Sequence, residues 1–173
     1  MHIRIAAASV IVLSCVVGAF GCSALVGVAT AADATRMPMA MDSGRQYVEP
    51  PAPATGTAPP FSEAVVVGDT VYVAGHIGLD PKTQKAVDNA DGEAHAVLDA
   101  VKKTVEASGL TMDDLVSVTV YCTDLALYDA FNAVYRSYFH GHYPARAFIG
   151  VASLVRGAHF EVAGVAVRAG HHM

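Results

Sequence analysis

Two charged residues stand where charge is costly. Arg146 lies two positions after Pro144 in "HYPARAFIGVA" and heads an apolar run that reads as a buried strand. Glu161 interrupts the next apolar run, "HFEVAGVAVR", and is the only acidic residue beyond Asp129. A guanidinium cannot shed its charge, so Arg146 requires a permanent anionic partner or an anionic ligand. The short connection makes the two strands expected neighbours. Arg146 and Glu161 then form either a structural salt bridge and nothing more, or the working pair of a site. In the second reading Arg146 grips a substrate carboxylate with its planar two-point fork. Glu161, held ionised by the nearby arginine, positions a water and accepts its proton. Water attack beside a clamped carboxylate suits hydrolysis of a 2-imino acid to the 2-oxo acid, and that chemistry calls for no metal, cofactor or protein nucleophile.

Other reactive side chains form no ligand set. His95, His140, His142 and His159 follow no metal-ligand spacing and read as surface or packing residues. Met37, Met39 and Met41, and the terminal His171, His172 and Met173, have soft-metal chemistry but no closed coordination pattern, so they read as linker and tail. Cys15 and Cys22 fall in an apolar leader, leaving Cys122 alone in the remainder; it reads as a small core residue.

The elements that must position Arg146 and Glu161 follow from periodicity. "RQYV" opens an edge strand, and the proline-rich "EPPAPATGTAPP" is a loop because proline cannot continue a ladder. "SEAVVVGDTVYVAG" gives two β runs around the turn pair Gly68-Asp69. Ala94, Val97, Leu98, Val101 and Val105 recur at helical spacing with Glu93, Asp99, Lys102, Lys103 and Glu106 on the polar side, and Gly109 stands at the expected C-terminal cap. "TMDDL" has capping-box spacing for a single turn. In "LVSVTVYCT" Val116, Val118, Val120 and Cys122 share one strand face. A second helix over 125–139 carries Leu127, Phe131, Val134, Tyr135 and Tyr138 on one stripe, and strands over 145–152 and 159–168 finish the domain. The order predicts an α+β domain: a mixed sheet with two helices on one face. The closing strand is apolar on both sides, Phe160, Val162 and Ala166 against Ala163, Val165 and Val167, so its second face needs cover, most simply from another copy of the chain.

The 173 residues carry a formal net charge of -5 with no basic run, which argues against nucleic acid and for small molecules. Residues 1–32 have Arg4, a long uncharged run and Ala29-Thr30-Ala31, the layout of a secretory signal. An uncleaved membrane anchor and lipidation at Cys22 are the alternatives; each exports the protein, to the periplasm or beyond. Residues 33–43 read as a linker, 44–170 as the folded domain and 171–173 as a tail.

"PPFSEAV", "VYVAGHIGLDP", "FNAVY", "YPARAFIGVA" and "FEVAGVAV" resemble successive motifs of the Rid (YjgF) family of enamine/imine deaminases, over about 44–169. The resemblance implies a chorismate-mutase-like α+β fold, a homotrimer with sites in the clefts between subunits, and a hydrolase releasing 2-oxo acids and ammonia without a metal or cofactor. It places the carboxylate-binding arginine on Arg146, the water-positioning glutamate on Glu161, a site asparagine on Asn132 and a ligand-facing glycine on Gly75. The sequence departs from the family at Phe61 (a tyrosine), Ala74 (a serine), His76 (a glutamine) and Phe148 (a cysteine). Phe61 removes a hydroxyl and Phe148 adds bulk beside the clamp. These changes admit an alternative, a trimeric carboxylate-binding protein with reduced turnover. His76 reads either as an extra acid or base, or as an ordinary polar contact. The ribonuclease activity once attached to the family name fits poorly with an acidic chain lacking a basic groove.

Overall fold

The computed structural model describes residues 39–42, 44–52 and 56–170. The expectations for residues 1–32, for Met37 and for residues 171–173 lie outside them. Seven strands form one sheet: β1 (Met39–Asp42), β2 (Arg45–Val48), β3 (Ala64–Val67), β4 (Thr70–Ile77), β5 (Leu115–Cys122), β6 (Ala145–Gly150) and β7 (Phe160–Val167). Their spatial order is β1-β2-β3-β4-β7-β5-β6, antiparallel throughout except the parallel pair β5–β6. Met39–Asp42, read from sequence as linker, pairs with β2 as the outermost strand.

Two helices, α1 (Ala90–Ala107) and α2 (Tyr128–Tyr135), pack against each other, and α1 packs on β4 and β7. The Asn89 side chain caps α1 by accepting from Gly92 N at 2.7 Å, and Gly109 leaves the helix at φ +78°. The apolar stripe of α1, Val97, Leu98, Val101 and Val105, is buried together with Phe131 and Val134 of α2 against Val71, Val73, Val118, Val120, Phe160, Val162 and Ala166 of the sheet. Each such side chain is worth about 1.5–3 kcal/mol relative to exposure, so the sheet–helix interface carries the stability of the domain. Among the described residues no helix covers the opposite sheet face, which exposes Tyr72, Val67, Val116 and Ile149.

Three expectations are corrected. Glu93 does not lie on the polar side of α1: it is fully buried, its carboxylate accepting from His159 N, Phe160 N and His159 Nδ1. Val116 leaves the face of Val118 and Val120 because a register shift between Leu115 and Ser117 sends Leu115 inward and Val116 out. Most consequential, β6 and β7 are not neighbours, since β5 lies between them.

Gly78 approaches α1 so closely that a β-carbon there would stand 2.5 Å from the Glu93 carbonyl oxygen. Gly78→Ala should therefore lower the urea midpoint by the equivalent of about 1–3 kcal/mol. Gly141→Ala, with nothing within 4 Å of the new carbon, should leave the midpoint nearly unchanged.

Candidate functional site

Strand parity decides where the two charged residues point. Arg146 is in register with Val118 of β5, whose side chain is buried on the helix face. Glu161 is in register with Tyr121 of β5 and Ile77 of β4, one step out of phase with the buried Phe160 and Val162. Side chains alternate along a strand, so Arg146 and Glu161 leave the sheet on opposite faces. The salt bridge expected between them does not form, and among the described residues no carboxylate lies within salt-bridge distance of Arg146.

Arg146 instead lies against α2. Its Nη2 donates to Asn132 Oδ1 at 2.7 Å, and its Cζ stands 4.6 Å from the ring centroid of Tyr135, 5.7 Å from Phe148 and 5.8 Å from Tyr128. Asn132 and Tyr135 are three apart on α2 and so share one face of it. A cleft of about 260 Å³ opens here, lined by Tyr128, Asn132, Tyr135, Tyr143 and Arg146 among others. Burial pushes the Tyr135 phenol up to about 12, with the Arg146 charge opposing, so the hydroxyl stays protonated; its oxygen is enclosed without a hydrogen-bond partner. Phe148 stacks edge-on against Tyr128 and Phe131 at 4.9 and 5.6 Å, so its bulk is absorbed by the aromatic cluster around the guanidinium.

Glu161 lines a second, larger cleft of about 610 Å³ with Phe61, Glu63, Ala74, Gly75, His76 and Arg156. The β4–β7 pairing slips between Val73 and His76, and this bulge carries Gly75 toward Glu161. Glu161 Oε1 occupies the space a β-carbon at Gly75 would need. A side chain at this position would displace the carboxylate. His76, in register with the buried Val162, has its Nδ1 3.3 Å from Glu63 Oε2, while its Nε2 is enclosed without a partner. Burial pushes the imidazole down to about 4, so at neutral pH the ring is uncharged. The Glu63 carboxyl is pushed up by burial, an effect the Lys103 ammonium opposes.

The sequence-read residues thus form two groups. Arg146, Asn132 and Phe148 gather on the helix face, and Phe61, Gly75, His76 and Glu161 gather around the bulge; among the described residues Arg146 and Glu161 line two separate clefts. Sequence reading missed Tyr135 and Glu63 as site residues. Tyr135 was absorbed into the apolar stripe, although its spacing from Asn132 was a usable signal. Glu63 had none, because its partner lies across a strand pairing. Among the described residues, no cluster of three or more metal-ligating side chains occurs.

Comparison with known proteins follows the same outline. The family model described as Endoribonuclease L-PSP matches residues 52–168. A 2-iminobutanoate/2-iminopropanoate deaminase of Homo sapiens is 34% identical over 118 residues, covering 68% of this chain and 86% of that protein. The enzyme of the same name from Salmonella typhimurium is 36% identical over 122 residues, covering 66% and 95%. The crystal structure of E. coli TdcF with bound serine superposes with a TM-score of 0.62 at 32% identity, covering 67% of this chain and 94% of that one.

The His76 environment makes stability pH-dependent in a defined window. The unfolded imidazole titrates near 6.5 and the folded one near 4, so between these values the unfolded chain binds more protons. The neutral ring's contribution is complete above the unfolded value and is lost as pH falls through the folded one. Wild type should lose about 3 kcal/mol more than His76→Gln across that interval, as read by urea denaturation at each pH.

Proposed function

The chain belongs to the Rid (YjgF) family of enamine/imine deaminases, and from that premise we propose that it hydrolyses reactive 2-enamine and 2-imino acids to 2-oxo acids and ammonia in sites shared between subunits of a homotrimer. The observation that carries this reading is the division of the site. Arg146 is built to receive a carboxylate and has none, while Glu161 stands over a glycine in a separate cleft on the opposite face. A second copy placed against the uncovered apolar sheet face would bring the Glu161 cleft of one chain to the Arg146 cleft of the next, and bury that face.

In the assembled site Arg146 grips the substrate carboxylate through two parallel N–H donors, with Asn132 and the flanking rings holding the guanidinium plane. The carboxylate fixes C2 near the Glu161 carboxylate. Glu161 orients a water and takes its proton as the oxygen adds to the C=N carbon. Glu161 returns that proton to nitrogen, giving the 2-amino-2-hydroxy acid; the hydroxyl proton then follows to nitrogen as the C–N bond breaks, ammonia leaves, and the C–O bond becomes the carbonyl of the 2-oxo acid. Water in and ammonia out balance the reaction, and no redox change occurs.

The alternative, a trimer that binds small carboxylates with reduced turnover, rests on Phe61 and Phe148. The packing of Phe148 into the aromatic cluster weakens it, since the ring stacks on Phe131 and Tyr128. Phe61 is 54% exposed and leaves the cleft open. The folded domain over 44–170 extended by β1, a linker before that strand and export by residues 1–32 complete the proposal; membrane attachment would come only through an uncleaved or lipidated leader.

Glu161→Gln should bind 2-oxo acids as wild type does and lose imine hydrolysis by about 100-fold or more, because the amide is not basic enough to take the proton. Release of 2-oxo acid from freshly generated imine measures this; full turnover by the variant would refute the role. The shared site has its own test. Arg146→Ala and Glu161→Gln chains, each inactive alone, should regain about a quarter of the wild-type sites when mixed equally and reassembled, since one interface in four pairs two intact halves. No recovery would place the whole site within one chain.

A further inference from the structure

Arg146 shares its cleft with another cation. The opening of about 260 Å³ is lined by tyrosine rings, Asn132 and Pro144, and by a second arginine, Arg136. No acidic side chain lines it. Among the described residues neither guanidinium forms a salt bridge.

Arg136 follows Asn132 by four residues and keeps helical backbone angles, so the two share one face of α2. Asn132 is also the residue that accepts from Arg146 at 2.7 Å, which makes it the neighbour of both arginines. Like charges gathered on one cleft repel each other, and an anion between them offsets the cost. Arg136 is tolerated there by its place in the fold. It caps the C-terminal end of α2, where the peptide dipoles favour a cation. Arg146 is half-buried and held by its neighbours, whereas Arg136 is exposed and its charge is open to a ligand. One carboxylate occupies one guanidinium fork. With Arg146 engaged, Arg136 still has donors and no anion.

We propose that Arg136 receives a second carboxylate, carried at the far end of the ligand whose C1 carboxylate Arg146 grips, so that the site prefers 2-imino dicarboxylic acids to monocarboxylic ones. Arg136 sets specificity and takes no part in water attack. The inference rests on Arg146 being the carboxylate clamp of the proposed deaminase.

2-Oxoglutarate and 2-oxopentanoate share a five-carbon 2-oxo acid skeleton and differ in a terminal carboxylate against a methyl group, which makes them the probes. Calorimetry on the purified full chain at low salt should show 2-oxoglutarate bound about fivefold more tightly, the upper range for one exposed charge pair. Added salt should shrink that ratio. Arg136→Gln should bring it to about one, and Arg136→Lys, which keeps the charge, should retain most of it. Equal affinities in wild type, or an Arg136→Gln variant that keeps the ratio or weakens both acids alike, would overturn the proposal. Failure of both acids to bind would remove it together with the Arg146 clamp. Imine hydrolysis, measured separately on wild type, decides the deaminase reading: the affinity ratio without turnover would leave the dicarboxylate site and remove the enzyme.

Discussion

The Glu93 carboxylate is fully buried in the first turn of α1, where an unpaired charge costs several kcal/mol. It is satisfied by two backbone N–H donors, from His159 and Phe160, and by the His159 ring at 2.7 Å. All three donors belong to the chain entering β7, immediately before Glu161. The helix start and the strand start are therefore one unit, and the Glu93 backbone is also what Gly78 packs against at the end of β4. The two strand segments that bring Gly75 and Glu161 together are both referenced to this carboxylate. A helix N-terminus favours a negative charge, which adds to the donors in making the burial tolerable.

From that anchor the division of the site follows by parity. Phe160 points into the core, so Glu161 points away from it, and no adjustment short of a register slip changes this. Arg146 shares the parity of Val118 and points the other way. Inserting β5 between β6 and β7 separates the pair laterally as well. A single chain holds the two chemical groups rigidly apart, and the rigidity comes from the same sheet that would align them in an assembly. The apolar residues left on the open face, Tyr72, Val116 and Ile149, are where the proposed assembly would find its driving force.

Local pattern carried much of this fold into the sequence. The α1 stripe, the Gly68 turn, the single turn after Thr111 and the inward face of β7 are all periodic or chemical signals within a few residues. What periodicity could not carry was strand order: a short connection suggested that β6 and β7 pair, and nothing in their composition reveals that an earlier strand inserts between them. Glu93 shows a second limit. A glutamate on a helix reads as solvated because burial requires donors supplied 66 and 67 residues later. Bulges were illegible for a related reason, since one extra residue at Gly75 or Val116 changes facing without changing residue type. The candidate residues that the sequence singled out, Arg146 and Glu161, were those whose charge violated an apolar strand.

Arg146 illustrates what an unsatisfied charge accomplishes. Pairing it with a carboxylate of its own chain would have stabilised it and closed the site to anions. Its actual partners are neutral: one amide oxygen and three aromatic faces. These hold the guanidinium flat and offset part of its desolvation through ring quadrupoles, yet leave its positive charge uncancelled. A lysine, lacking the plane, would gain little from the rings. Tyr135, whose ring centroid lies 4.6 Å from the guanidinium carbon, is able to become an anion, but burial pushes its phenol up to about 12. Around neutral pH the side chains gathered on the guanidinium therefore supply orientation without charge, which is what the proposed binding of a substrate carboxylate requires of them.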